Sequence, residues 1–541
     1  MFRLSLLAHG QQQGLARHCP ALSSSSATYL SKPFTRTSFS SLKSVRPFST
    51  TSTTHSSETS SSSVSAVGEK SSRPFRVAVI GSGPGGFYTA HRLLKHVPQT
   101  RIDMFEALPV PHGLVRFGVA PDHPEVKNVI NTFDEVAENP NFTFIGNTSV
   151  GTYVTPGSKK ADLEISDLQP HYDAILLSYG AHEDRLLGVP NEQSLKGVMA
   201  ARSFVGFYNG LPSEQGLDVD LSQSETAVVI GQGNVALDVA RILLTPLDEL
   251  KKTDLTEKTI RILEKSRVKN VHVIGRRGPL EVAFTAKELR EMLHLPNTTF
   301  HMDQDLLASE MERAGKTLDR PRKRLMGLLE KGIKESKPDQ PKSWSLQFLR
   351  SPLGFTGTDE SSGSQLKAIE LGINRLEGDN NSRKAVATGA KETLDCGLAF
   401  RSIGYKSVGI QGVPFDERKG IVPNMDGKVL DAERNIVPGL YASGWLKRGP
   451  IGVIATTMAD AYQTADTIIA DLTTGKPMLM ADSAPKEGCK TLLELLHSKG
   501  HRTVSYKDWK KIEQKEFDLG ARVGKPREKI LTVEEMLKVL D

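Results

Sequence analysis

Two glycine-rich turns, each closing a short apolar run, constrain this chain more than any other feature. The first is Val77-Ala78-Val79-Ile80-Gly81-Ser82-Gly83-Pro84-Gly85-Gly86. The second is Ala227-Val228-Val229-Ile230-Gly231-Gln232-Gly233-Asn234-Val235-Ala236. An apolar run, then Gly-x-Gly-x-x-Gly or -Ala, then a helical pattern, specifies a strand, a tight turn and a helix starting at the turn. The helix's first N–H groups and its dipole favour an anion there, and a dinucleotide pyrophosphate is the ligand that fits. The predicted fold class is α/β, with two Rossmann-like three-layer nucleotide-binding domains.

The two units end differently. Arg101-Ile102-Asp103-Met104-Phe105 closes on Glu106, about 20 positions past Gly86. An acid there accepts hydrogen bonds from a bare ribose diol. Val271-His272-Val273-Ile274 instead runs into Gly275-Arg276-Arg277. Adjacent guanidiniums offer paired donors to a 2′-phosphate. FAD is therefore expected at Gly81, Gly83, Gly86 and Glu106, and NADP(H) at the second turn with Arg276 and Arg277. Glu288, on a predicted helix from Thr285 to Met292, is a candidate to orient an arginine or touch the nicotinamide ribose. The string Gly449-Pro450-Ile451-Gly452 precedes another predicted helix, whose N-terminus suits the pyrimidine side of a reduced flavin. Trp445 reads either as a ring against the flavin or as core.

The chain has 541 residues, room for several domains. No apolar run approaches the ~18 residues of a membrane span, so membrane association is expected to be at most peripheral. No Asp or Glu precedes Glu58, while Arg3, Arg17, Lys32, Arg36, Lys43 and Arg46 do. With Ser and Thr dominating from Ser23, this describes a mitochondrial transit peptide rather than an unaddressed tail. Arg46-Pro47-Phe48-Ser49 is the candidate processing site. The whole chain has 69 basic and 63 acidic residues, so without those six cations the charges balance. Nucleic acid is not expected as a partner. The cysteines are Cys19, Cys396 and Cys489, with no Cys-x-x-Cys. That argues against a disulfide relay and against an iron–sulfur cluster in this chain. Electrons leaving a flavin here need an outside acceptor.

The expected domains are residues 1–70 as transit peptide and linker, 71–175 as the first part of the FAD domain, 176–405 as the NADP domain, and 406–541 as the second part of the FAD domain with a C-terminal extension. A long insertion, Thr245 to Asn270, departs from the compact fingerprint unit. The basic run Arg320-Pro321-Arg322-Lys323-Arg324 and the polar stretch Thr356 to Gln365 read as surface elaborations.

From about Pro74 to the C-terminus the chain resembles the mitochondrial adrenodoxin reductase family, the NADPH–ferredoxin oxidoreductases. The resemblance rests on Gly81 to Ala90, Val110 to Val129, Gly231 to Ala240, Gly275 to Leu280, Trp445 to Met458 and Gly524 to Lys529. It implies FAD contacts at Gly85, Glu106, Leu114, Val150, Trp445, Gly452, Val453 and Ile454. It implies NADP contacts at Gln232, Gly233, Asn234, Val235, Arg276, Arg277 and Glu288, with Gly452 also facing the nicotinamide. The implied reaction passes a hydride from NADPH to FAD and then single electrons to a mitochondrial [2Fe–2S] ferredoxin. That ferredoxin serves iron–sulfur cluster assembly, haem-related hydroxylation or steroid hydroxylation, and the implied place is the matrix or the face of the inner membrane.

The family's ferredoxins are acidic, so Lys287, Arg290, Arg320, Arg322, Lys323 and Arg324 are candidates for a local basic docking patch. No nucleophile or metal ligand is needed. His123 is a candidate to handle a proton or mark the docking site, and reads equally well as a bonded loop histidine. Three departures stand out. Gly85 replaces a common Ala, His112 replaces a common Phe, and His182-Glu183-Asp184 stands where Glu-Asp-His is familiar. An acid–His pair in that loop makes Glu183 a candidate active-site residue. The alternatives are a flavin monooxygenase or another NADPH-dependent flavoprotein, a reductase subunit of glutamate synthase type, and a non-enzymatic nucleotide sensor. The missing cysteine clusters weigh against the subunit.

Overall fold

A computed structural model describes residues 73–358, 364–379, 382–479 and 486–541. The expected transit peptide and its processing site lie outside these residues. A seven-stranded sheet gathers strands from both ends of the described chain. Its spatial order is Asn424–Met425, Lys428–Leu430, Ile436–Ala442, Ala174–Leu177, Arg76–Ile80, Arg101–Phe105, Phe142–Ile145. The last five are mutually parallel and the first two join antiparallel. Val77, Ala78 and Val79 are fully buried, because helices cover one face and loops with short helices the other. The helices Pro84–His96 and Ile454–Thr473 lie together on the first of those faces.

The second sheet has six parallel strands in the order Val198–Ala200, Leu398–Arg401, Thr226–Ile230, Asn270–Ile274, Lys342–Gln347, Thr298–Met302. Helices, among them Asn234–Leu244, Ala286–Leu293 and Arg320–Glu335, bury one face. An antiparallel meander, Arg350–Gly357, Leu366–Glu377 and Lys384–Asp395, covers the other through Phe355, Ile369 and Leu371. The polar stretch from Thr356 thus begins inside a layer of the domain.

The expected boundary between residues 175 and 176 cuts Ala174–Leu177, which pairs along its whole length with Val77–Ile80 of the first sheet. The boundary between 405 and 406 cuts Tyr405–Lys406. This strand pairs with Glu183–Asp184, so the two chain crossings between the sheets run side by side. Among the described residues, no helix is long and apolar enough to cross a membrane.

Candidate functional site

The first glycine turn is tight where the fold needs it and open where a ligand would lie. Gly81 has φ +98°, and a Cβ there would sit 2.7 Å from the Ser178 carbonyl oxygen. A Cβ at Gly86 would run into the Gly81 carbonyl, which fits close helix–strand packing. Gly83 faces open space, with nothing within 4 Å of the point a Cβ would occupy. No side chain caps the N-terminus of Pro84–His96; the Gly86 and Phe87 N–H groups bond the Gly83 carbonyl at 3.1 Å, and the positive end of the helix stays uncovered by any side chain. Glu106 is anchored by the Ser82 N–H at 3.1 Å and hydroxyl at 2.6 Å on Oε2, and by the Leu108 N–H at 3.1 Å on Oε1. Oε1 keeps acceptor capacity for a ribose hydroxyl. Burial raises the Glu106 pKa, and these hydrogen bonds oppose the rise.

Three other segments gather around this turn. A Cβ on Gly113, at φ +48°, would lie 3.2 Å from Gly83 Cα, so the short helix Leu114–Phe117 starts against the turn. His112 donates its N–H to the Ser82 carbonyl at 3.1 Å, and its ring is buried beside Phe87, Phe133 and Trp509. Burial holds that ring well below its ordinary pKa, so it packs as a neutral aromatic. Gly85 and Gly444 approach closely, a Cβ on Gly85 lying 3.5 Å from Gly444 Cα. The Gly444 N–H donates to Asp460 at 2.7 Å, which ties the Trp445 turn to the helix Ile454–Thr473. Asp460 escapes sequence reasoning, since an acid within a helix carries no local signal. Trp445 rests on Tyr405, with ring centroids 5.1 Å apart. Gly452 has φ +88°, and Ile451 and Val453 are exposed ahead of a helix start that no side chain caps; Ile454 opens that helix. Val150 is buried on the far side of the first sheet, bridged to Leu163.

The second turn repeats the pattern. A Cβ at Gly231 would collide with the Ser402 carbonyl, whereas Gly233 faces open space. Asn234 and Val235 open a helix with no side-chain cap. Gln232, expected as part of the NADP pyrophosphate turn, directs its side chain into the sheet, donating to the carbonyls of Gln347 at 3.2 Å and Val273 at 3.4 Å. Its carboxamide fills the space beside Gly275, leaving its backbone to meet a ligand. Asn234 Oδ1 accepts the Thr285 N–H at 2.8 Å, and the Thr285 hydroxyl bonds Glu288. Glu288 is thereby held near the second turn, and burial raises its pKa. Arg276 and Arg277 are exposed, their carbonyls held by Asn374 and Leu349 and the Arg277 guanidinium 3.4 Å from the Glu281 carbonyl.

His123 Nε2 lies 2.8 Å from Glu291 on the helix Ala286–Leu293. Glu183 meets Thr155 at 3.5 Å, and the neighbouring His182 ring lies tilted against Tyr153, with centroids 4.2 Å apart. Glu183 lies on the short strand Glu183–Asp184 along the crossing between the sheets, while His123 and Glu291 form a separate acid–His contact.

Residues 75–297 match the pyridine nucleotide-disulphide oxidoreductase family. No cysteine falls in that span. The fold matches FprA, an oxidoreductase of Mycobacterium tuberculosis, also solved in complex with NADPH. The TM-score is 0.78 at 36% identity, over 86% of this chain and 99% of that one. Mitochondrial NADPH:adrenodoxin oxidoreductases of Bos taurus and Homo sapiens are each 48% identical, over 86% of this chain and 92% of theirs. This chain belongs to the NADPH:adrenodoxin oxidoreductase family. The Arabidopsis thaliana member is 42% identical over the same share of the chain.

The candidate docking cations of this adrenodoxin oxidoreductase relative split into two groups. Lys287 pairs with Glu125 at 2.7 Å, and the half-buried Arg322 donates to the Val282 carbonyl at 2.8 Å. Both are engaged within the chain. Arg320, Lys323 and Arg324 are exposed on Arg320–Glu335, which packs beside the helix carrying the half-buried Arg290.

Proposed function

We propose that this chain is an FAD-dependent NADPH:ferredoxin oxidoreductase of the mitochondrial matrix, with a [2Fe–2S] ferredoxin of adrenodoxin type as acceptor. One observation carries the reading. Two glycine turns of the same geometry are each open at the middle glycine, but one is answered by a carboxylate and the other by two exposed guanidiniums. Bound FAD supplies the conversion of a two-electron donor's hydride into single electrons.

The chain's own residues bind, orient and shield. Gly83 and the first turns of Pro84–His96 would receive the FAD pyrophosphate, and Glu106 its adenosine ribose. Leu114, Trp445, Gly452, Val453 and Ile454 would line the flavin, and the helix start at Ile454 would favour negative charge at its pyrimidine side. Gly233, Asn234 and Val235 would receive the NADPH pyrophosphate, while Arg276 and Arg277 clamp the 2′-phosphate. Glu288 would contact the nicotinamide ribose. His123, its Nε2 hydrogen-bonded to Glu291, holds the segment after Ala120 against the second domain. Arg290, Arg320, Lys323 and Arg324 form the surface that steers an acidic ferredoxin. The relatives' mitochondrial naming and the acid-free N-terminus support the matrix.

Anaerobic NADPH titration tests the reading. The purified protein should be yellow, bleach with NADPH and recover colour on adding oxidised ferredoxin. A colourless protein, or NADH acting as well as NADPH, would overturn it. Oxygen uptake coupled to an organic product would favour a monooxygenase.

A further inference from the structure

The insertion between Thr245 and Asn270 has no part in either coenzyme turn, yet among the described residues it makes the most heavily buried ionic contact between the two sheet-bearing bodies. We infer that this insertion is a brace that sets the angle between the two nucleotide-binding bodies, with Asp254 as its positioning residue. The inference rests on the proposed pair of coenzyme sites, since it concerns how they are held facing each other.

The chain crosses between the sheets only twice among the described residues, along Glu183–Asp184 and Tyr405–Lys406. Two adjacent crossings behave as a hinge, and domains so joined rotate unless something else holds them. Near the coenzyme seam, Arg241 meets Asp122 at 2.6 Å. With the His123–Glu291 and Lys287–Glu125 pairs it forms one cluster around residues 122–125, and a contact away from that cluster restrains rotation further.

The insertion provides that contact. On one side it is rooted in the second body, where Leu250, Leu255, Ile260 and Val268 join the core that contains Val239 and Leu243. Its tip presents Asp254. Both carboxylate oxygens accept from Lys127 Nζ, at 2.8 and 2.7 Å, and Lys529 Nζ stands 3.1 Å away. Lys127 sits on Pro124–Val129, just after His123. Lys529 follows the helix Tyr506–Arg522, whose Trp509 and Ile512 pack against Val110 and Phe117 beside the first glycine turn. Alongside, Glu257 meets Lys525 at 3.1 Å, and its N–H donates to Glu528 at 2.9 Å.

Charge holds this contact closed. Lys529 and Lys525 are almost fully buried, and Lys127 nearly so. Asp254 is the one acid, among the described residues, ion-paired to both Lys127 and Lys529. Burial lowers the pKa of Lys127 and brings that of Lys529 down to about 7, so without the Asp254 charge either a lysine gives up its proton or the contact opens; both outcomes cost the ion pair that joins the two bodies. Burial opposes the Asp254 charge, but Lys529 and Lys127 outweigh it and hold its pKa well below the ordinary carboxylate range.

The test is a distance measurement on the flavin-loaded protein. Spin labels go on Lys95→Cys and Lys331→Cys, exposed positions on the first and second bodies, in a Cys19→Ser, Cys489→Ser background. The unaltered brace should give one narrow distance. Asp254→Asn should broaden or shift it while flavin content holds, and should lower NADPH–ferricyanide turnover roughly tenfold to a hundredfold at little change in KM. Asp254→Glu should restore both. A narrow, unshifted distance in Asp254→Asn overturns the inference. Should that variant fail to fold, Lys127→Met with Lys529→Met, which removes both cations paired to Asp254, takes its place under the same two outcomes. Protein that ignores NADPH but still widens on Asp254→Asn would sink the proposed function and leave the brace standing.

Discussion

His123 Nε2 lies 2.8 Å from Glu291 Oε2, and this pair joins the segment beside the first glycine turn to the helix behind the second. Arg241 stands next to it, 2.6 Å from Asp122, 2.8 Å from Asp238 and 3.6 Å from Glu291. One buried cation therefore serves three carboxylates drawn from both halves of the chain. Burial raises the Asp238 pKa despite Arg241, while at Asp122 the same burial is outweighed by Arg241 and the pKa falls.

Removing that cation strands the acids. Arg241→Met is expected to lower unfolding free energy by about 3–5 kcal/mol, as for a buried ion pair robbed of one partner. Urea unfolding of the flavin-loaded protein measures it. A loss below about 1 kcal/mol would mean that the acids are solvated or protonated instead.

The two glycine classes should separate cleanly. Gly83 has φ −78° and open space ahead of it, so Gly83→Ala should fold normally and lose FAD. Gly86→Ala must push the helix off the strand, so it should lose stability as well as flavin. Flavin content and apoprotein melting temperature decide this. Retention of full FAD by Gly83→Ala would place the pyrophosphate elsewhere.

Coenzyme choice should follow the exposed arginines. Arg276→Ala with Arg277→Ala should raise KM for NADPH roughly ten- to a hundredfold, the worth of one or two charge-assisted bonds, and leave KM for NADH nearly unchanged. Steady-state ferricyanide reduction with each coenzyme reads it out. Parallel losses with both coenzymes would point to a folding role instead.

His182 makes stability depend on pH. Burial, helped by Arg202, lowers its ring pKa from 6.5 to about 4. As pH falls through 6.5 the unfolded chain takes up a proton that the folded chain refuses until about 4. Stability from this group is therefore full above 6.5 and declines down to about 4, by about 1–3 kcal/mol in all. His182→Phe, packing against Tyr153 in its place, should flatten that part of the stability–pH curve. An unchanged slope would assign the dependence to other groups.

Ferredoxin docking should follow the free cations rather than the engaged ones. Lys323→Glu with Arg324→Glu should weaken ferredoxin-dependent cytochrome c reduction and make it less salt-sensitive, with ferricyanide reduction intact. Arg322→Glu should also loosen the Val282 contact and lower stability. Equal loss in both assays for the Lys323–Arg324 pair would remove this helix from the docking surface.

The glycine turns were legible because their signal is local. Strand, turn and helix start lie within about ten residues, and the sign of the residue closing the next strand is a single letter. The positions of Glu106 and Arg276 at the ends of Arg101–Phe105 and Asn270–Ile274 were read that way, and so was the discontinuous plan of the first sheet, from apolar runs that end in glycine near Gly180 and Gly444. Boundaries were less legible: Ala174–Leu177 reads as a strand, but its pairing with Val77–Ile80 decides which sheet owns it.

By itself, then, the sequence determined the two turns, their order and the charge that follows each, since backbone sterics and short-range pattern dictate these. Only the tertiary structure decided that Gln232 turns into the sheet, that Arg322 is spent on a carbonyl, and that Glu291 rather than Glu183 partners a histidine. His123 and Glu291 stand 168 residues apart in the chain. Which of many acids meets a given histidine is settled by how two sheets pack, and no local pattern carries that information.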